Sequence, residues 1–243
     1  MTMKLLFRRA ACGLALSLLG AAGMASAGSF QVSPINPTLS TGKPVSALTV
    51  RNNGASPVVI QLEALSWSQP DGKDNYRPAP EILATPPIFT IPAGSSQIIR
   101  VGSRVPSDAR SERAYRLILR EIPPPAKPGF NGLRMALQVS LPLFILPVAP
   151  ATPQLQWQAT RTADGQLRIS ATNAGQMHAH LSGFKLVTAA AKPLHMPAGA
   201  VYVLPGASRE WLVNADVASG TALKLVAQND ARPVQADLVV ADR

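Results

Sequence analysis

His178 and His180 stand two positions apart, with Met177 beside them and His195 and Met196 further along the chain. On a strand this spacing turns both imidazoles to one face. Imidazole and thioether together suit copper, and Met especially suits Cu(I). The plainer reading is a pair of surface histidines beside a turn, with methionines filling a core. A periplasmic copper-binding β-sandwich module is therefore one functional reading to be weighed. Enzyme chemistry has little to work with: there is no G-x-S-x-G, no H-E-x-x-H and no glycine-rich phosphate loop. Asp71, Asp74 and Glu81 cluster around a loop and read as solvated charge. No catalytic role and no cofactor is expected.

A different pattern stands out at 131–147, NGLRMALQVSLPLFILP. Every second residue is large and apolar: Leu133, Met135, Leu137, Val139, Leu141, Leu143 and Ile145. The other face starts polar, with Arg134, Gln138 and Ser140, and then turns apolar. A period of two marks a strand with one buried face. This row spans thirteen positions, whereas strands usually run about 5–6 residues. Leu143 and Ile145 read as ordinary core. Residues 133–139 need some other cover. Pro142 cannot donate to a ladder, so the strand belongs at a sheet edge or a bulge.

The N-terminus predicts an export signal. Lys4, Arg8 and Arg9 precede an apolar run over 10–22, and Ala25-Ser26-Ala27 forms an A-x-A cleavage site. Cleavage after residue 27 removes Cys12, the single cysteine, and leaves 216 of the 243 residues. An exported chain without a disulfide needs a core able to fold unaided. Removing three basic residues changes the net charge from +10 to +7. There is no Arg/Lys run and no interleaving of basic with aromatic residues, which argues against nucleic acid. The charge suits a solubilising surface or a partner that offers a carboxylate. No later segment is long and apolar enough to insert in a membrane, so the expectation is a soluble exported protein.

The elements that would position these residues are strands. Short alternating runs between Pro/Gly turn signals predict strands at 30–40, 44–52, 57–68, 81–90, 95–102, 113–122 and 132–147. A turn is expected at Asn53-Gly54 and an unpaired loop at 123–131. The proline-rich stretch 146–153 reads as a stiff linker. A second set follows at 154–160, 166–173, 178–188, 199–204, 208–213, 222–228 and 233–240. The fold class is all-β, two immunoglobulin-like β-sandwich domains. The expected boundaries are 1–27 signal peptide, 28–147 first domain and 148–243 second domain. Trp67, Trp157 and Trp211 read as core or domain-packing residues.

Five blocks carry a family resemblance: ATPPIFTIPAGSSQIIRV (84–101), YRLILREIPPP (115–125), NGLRMALQVSLPLF (131–144) and, more weakly, SATNAGQMHAHL (170–181) and YVLPGASREW (202–211). In order and spacing the chain resembles the periplasmic pilus-assembly chaperones of the chaperone–usher pathway. Its SLPLF pattern resembles the archaic-type branch. The resemblance implies a boomerang of two domains whose long last strand completes an incomplete pilus subunit before delivery to an outer-membrane usher. It makes Leu133, Met135, Leu137, Val139 and Leu141 the donor positions, by β-augmentation. The free protein could shield so exposed an edge by self-association. Many members also carry two basic residues that anchor the subunit's terminal carboxylate. Their counterparts here are Asn36 and Pro142, neither of them basic. Arg116 and Arg100, which interrupt apolar strands, are the substitute candidates, since Arg offers a bidentate fork. Arg120 reads as structural. A pilus subunit is the other exported β-rich rival, but the common type carries a cysteine pair and a single incomplete fold.

Overall fold

The computed structural model describes residues 30–105, 110–125, 128–129, 131–133, 135–196, 199–230 and 232–242. The expected signal peptide, 1–27, lies outside the described residues. Strands β1 (Phe30–Ser33), β2 (Thr38–Leu39), β3 (Val45–Asn52), β4 (Val58–Ser68), β5 (Asn75–Pro78), β6 (Ile82–Thr85), β7 (Ile88–Ile91), β8 (Ser96–Ser103), β9 (Arg113–Ile122) and β10 (Gln138–Ile145) build two facing sheets. One has the order β1-β3-β8-β6 and the other β2-β10-β9-β4-β5, with β7 also on β4. Alternation decides what each strand buries. In β3 the odd-numbered residues are exposed and the even-numbered ones buried, so Leu48 and Val50 meet Ile60, Leu117 and Leu143 in one core.

Three expected strands are corrected. The run 30–40 is two strands, β1 pairing with β3 in one sheet and β2 with β10 in the other. Pro34 and Pro37 lie between them, and a residue without an N–H cannot continue a ladder. The run 81–90 likewise divides at Pro86-Pro87 into β6, paired with β8, and β7, paired with β4. Among the described residues of the run 132–147, only Gln138–Ile145 form a strand. The short edge strand β5, reached through a 3-10 turn at Pro70–Gly72, has no alternation to announce it.

The second half contains β11 (Leu155–Arg161), β12 (Leu167–Asn173), β13 (Ala179–Thr188), β14 (Pro193–Leu194), β15 (Val201–Val203), β16 (Ser208–Val213), β17 (Ala222–Asn229) and β18 (Arg232–Ala241). They surround a separate core that includes Ile169, Leu181, Trp211, Leu225 and Val240. Trp157 stacks on Trp211 at 5.9 Å, so both belong to this half. The two halves use a matching internal strap. Asn52 is fully buried and donates its amide to Ser56 O and Ile91 O. Asn173, also fully buried, donates to Met177 O and Val203 O. Each satisfies loop carbonyls that burial would otherwise strand without water. No helix among the described residues is long and apolar enough to cross a membrane.

Candidate functional site

The apolar row of 133–145 divides into three parts. Leu143 and Ile145 are buried in the first core. Leu141 is too, at 5% exposure, because it lies opposite Leu117 in the middle of the sheet. This corrects its expected place among the donor positions: it fills the chain's own sandwich. Leu137 and Val139 are half-buried and rest on the edge of that core. Leu133 and Met135 are 87% and 79% exposed. The row is thus the core face of β10, continued past the end of the sheet into solvent.

The backbone of β10 has one open edge. Antiparallel pairing with β9 runs from Gln138 opposite Arg120 to Ile145 opposite Arg113. On the other side β2 reaches only Phe144 and Ile145. The direction of each peptide follows from its hydrogen bonds. Leu137 O accepts from Glu121 N, so odd-numbered residues address β9. Phe144 N donates to Pro37 O, so even-numbered residues address the far edge. Gln138 and Ser140 therefore present their N–H and C=O groups along the open edge, while their odd-numbered neighbours put apolar side chains on the core face. Pro142 shares their parity. Its missing N–H falls on the open edge and costs the β9 ladder nothing. At the start of the strand, Arg120 donates from Nε to Gln138 Oε1 at 3.0 Å.

The two candidate arginines part company. Arg100 lies on β8 in the sheet without β10, opposite Ala47 and Thr85, with its side chain in solvent. Arg116 lies on β9 between Pro142 and Leu65. By the parallel register that sets Thr38 beside Phe144, Asn36 falls level with Pro142. Arg116 is thus next to Pro142 and two strands from Asn36, the two positions that the resemblance marks for basic residues. Its guanidinium sits 3.9 Å over the Trp67 ring and 5.4 Å from that of Tyr202. Burial pushes the Tyr76 phenol up, with the Arg116 charge opposing. Burial pushes the Tyr202 phenol up, with Arg116 opposing. The Arg116 Nε is buried and has no hydrogen-bond partner among the described residues. Flat aromatic walls hold the fork in place and strip its water, which strengthens its hold on an incoming anion.

Those walls are the seam between the two halves. Trp67, Phe144 and Leu204 form a small buried cluster there. This explains why the second face of β10 turns apolar at Pro142 and Phe144. Gln69 crosses the seam, accepting from Leu204 N at 2.9 Å and donating to Tyr202 O at 3.1 Å. Asp74 accepts from Trp67 Nε1, Gln69 Nε2 and the Arg209 guanidinium. Arg209 also donates to Gly72 O and Tyr202 O. Asp74 is therefore a bridging group and not the solvated charge expected. Glu81 is half-buried, and its charge adds to the burial that raises the Tyr115 phenol. Neither Gln69 nor Asp74 has a signal in the sequence, since their partners across the seam, Tyr202, Leu204 and Arg209, lie 133 to 135 positions on.

Burial tends to raise the Asp74 carboxyl, but the bonds from Trp67 and Gln69 and the charge of Arg209 outweigh it, and its pKa lies below the usual range. A carboxyl depressed in the folded state stabilises above its unfolded pKa, near 4, and that contribution disappears as pH falls through the folded value. Replacing Asp74 by Ala is expected to lower stability at neutral pH by about 1 kcal/mol, the partial exposure of the pair discounting a charged hydrogen bond. Denaturant melts of wild type and variant should differ at pH 7 and converge as pH falls below the carboxyl's depressed folded value. Equal stabilities at pH 7 would show that this bridge is idle.

The histidines are not arranged for copper. His178 stacks on Phe144 at 3.8 Å and gives its Nδ1 to the buried Glu112 at 2.7 Å. His180 stacks on Tyr202 at 4.3 Å with Nδ1 3.1 Å from Asp230. Met196 is buried in the second core. Among the described residues no group of three or more His, Cys, Asp or Glu is placed to hold a metal.

Residues 29–151 match the family model described as pili and flagellar-assembly chaperone, PapD N-terminal domain. A search of curated protein sequences finds no match. Among solved structures, the fold resembles that in the CsuC–CsuE chaperone–tip adhesion subunit pre-assembly complex of archaic Csu pili from Acinetobacter baumannii. The identity is 24% and the TM-score 0.69, covering 89% of this chain and 100% of that one. It also resembles the chaperone DraB of E. coli, with 22% identity, TM-score 0.59 and 86% and 96% coverage. A third is the Salmonella enterica SafA pilin complex with the SafB chaperone, with 19% identity, TM-score 0.61 and 87% and 97% coverage.

Proposed function

This chain belongs to the pili and flagellar-assembly chaperones, and from that premise we propose that it captures incomplete pilus subunits by lending them the leading part of its last first-domain strand. The observation that carries this reading is the course of the apolar row. The core face of β10 runs on past its own sheet, with Leu133 and Met135 in solvent and an unpaired backbone edge beside it. An exposed apolar edge is an aggregation hazard unless another chain is meant to use it. Leu133, Met135, Leu137 and Val139 enter the groove where the subunit lacks a strand. Gln138 and Ser140 supply the edge hydrogen bonds. Arg116 anchors the subunit's terminal carboxylate at the seam. Residues 28–147 form the donor domain and 148–243 the second domain, which closes the seam around Arg116. The work takes place in the periplasm, ends in delivery to an outer-membrane usher and consumes no nucleotide. The subunit stays incompletely packed, and the free energy so withheld drives its later strand exchange.

The test separates backbone from side chain. Ser140→Pro deletes one N–H on the open edge and leaves the β9 ladder intact. Co-production in the periplasm with the pilus subunit of the same operon, followed by pull-down, should show capture reduced about three- to tenfold, the worth of one hydrogen bond. Thermal melting of the free protein should not change. Undiminished capture by Ser140→Pro would show that no strand pairs along this edge.

A further inference from the structure

The β9–β10 ladder stops at Gln138 opposite Arg120 although the apolar row continues to Leu133. Strand β9 itself does not stop there. On its other side it runs to Ile122, opposite Val59. Something ends the pairing on the donor side alone. The register identifies it. Continued by the same count, Leu137 faces Glu121, Met135 faces residue 123 and Leu133 faces residue 125. Odd-numbered residues of this strand address β9, so the carbonyls of Met135 and Leu133 would take the N–H groups of 123 and 125. Both are prolines, and neither has an N–H to give. The rung before them is already altered. Glu121 N donates to Leu137 O at 2.9 Å, but Leu137 N donates to the Glu121 side-chain Oε2 at 3.2 Å. The carboxylate takes the place that the main-chain carbonyl would hold in a ladder. Pro124, of the opposite parity, addresses the β4 side.

We infer that Pro123, Pro125 and Glu121 are positioning residues that stop Leu133 and Met135 from zipping onto the chain's own β9. The leading half of the donor row then keeps both backbone edges open. This rests on the donor-strand reading and adds the reason why the donor is available. A partner that lacks an interior strand has a neighbour on each side of the gap, so a strand already paired at home would fill it on one edge only. Without the two prolines the hairpin would lengthen and compete, within the chain and at no cost in concentration, with capture of a subunit.

The experiment restores the missing donors. In the double variant Pro123→Thr/Pro125→Thr, the amides of Met135 and Leu133 in the free protein should exchange about tenfold more slowly than in wild type, as ladder bonds form. Capture of the co-produced subunit should fall in parallel. Pro124→Thr, on the other side of the strand, should leave both readouts at wild-type values. The single Pro125→Thr variant carries the same test, with a smaller effect, if the double variant melts abnormally. Unchanged exchange, or slowed exchange with undiminished capture, overturns the inference. Loss of capture without slowed exchange overturns it too, because the ladder is then not the cause. In each of these outcomes Leu137→Arg tells which idea has failed. If Leu137→Arg abolishes capture, the donor strand stands and only the role of the prolines falls. If it does not, the donor-strand reading fails with it.

Discussion

Leu137→Arg is expected to abolish recovery of the co-produced subunit while the free chaperone remains folded. Leu137 rests on the rim of the first core and is only half-buried there. An arginine at that point can carry its charge to water along its own apolar stem, at small cost to the free protein. In a subunit groove the same side chain would enter an enclosed apolar pocket, where an uncompensated charge costs about 3 kcal/mol or more. That is a loss of roughly a hundredfold or greater in affinity. Met135→Arg is the companion variant, because Met135 lies in solvent and its replacement does not touch the core. Leu143→Ala gives the contrast. It empties a fully buried site and should cost about 2–5 kcal/mol of stability. Full capture by both arginine variants would show that the row is not donated.

Arg116→Ala should weaken capture by about a hundredfold, since removing one member of a desolvated charge pair costs about 2–5 kcal/mol. Arg116→Lys should fall between, keeping the charge and losing the fork. Some loss in Arg116→Ala comes from the seam itself, where the guanidinium lies on Trp67. Such a contact contributes about 0.5–2 kcal/mol. The two effects separate in a cycle with a subunit whose last residue carries a C-terminal amide. If Arg116 grips the carboxylate, Arg116→Ala and the amidated subunit together lose no more than either alone. Independent, additive losses would assign Arg116 to holding the seam and not to the anchor. Arg100→Ala, out on the other sheet, should leave capture unchanged.

The contrast between these two arginines shows how far sequence reading reached. Both interrupt apolar strands in the same way, IIRV and YRLIL. A strand pattern gives the face on which a residue lies but not the sheet to which the strand belongs, or what covers that face. Only pairing with β10 brings Arg116 beside Pro142, and only the docking of the second half puts Tyr202 next to it. Asp74 was misread for the same reason. Its neighbours in sequence are polar and loop-like, whereas Arg209, the partner that fixes it, lies 135 positions on. Leu141 stands in the donor row by resemblance, and a period of two does not say where a sheet ends. The end was set by a neighbouring strand and by two prolines, legible only once the register was known.

Alternation alone determined that this chain is built of strands, which residues face inward and that the row from 133 to 145 is longer than one sheet can cover. Those properties follow from the pleat, which every residue carries locally. Proline spacing marked the edge character of β10 and the break between halves for the same local reason, a missing N–H. Tertiary structure decided which part of the row stays at home and which reaches solvent. It also chose the cation at the seam and closed the aromatic box around it. These are matters of register and of contact between segments a hundred residues apart. The energies that fix them are those of pairing and packing across the fold, which no local pattern contains.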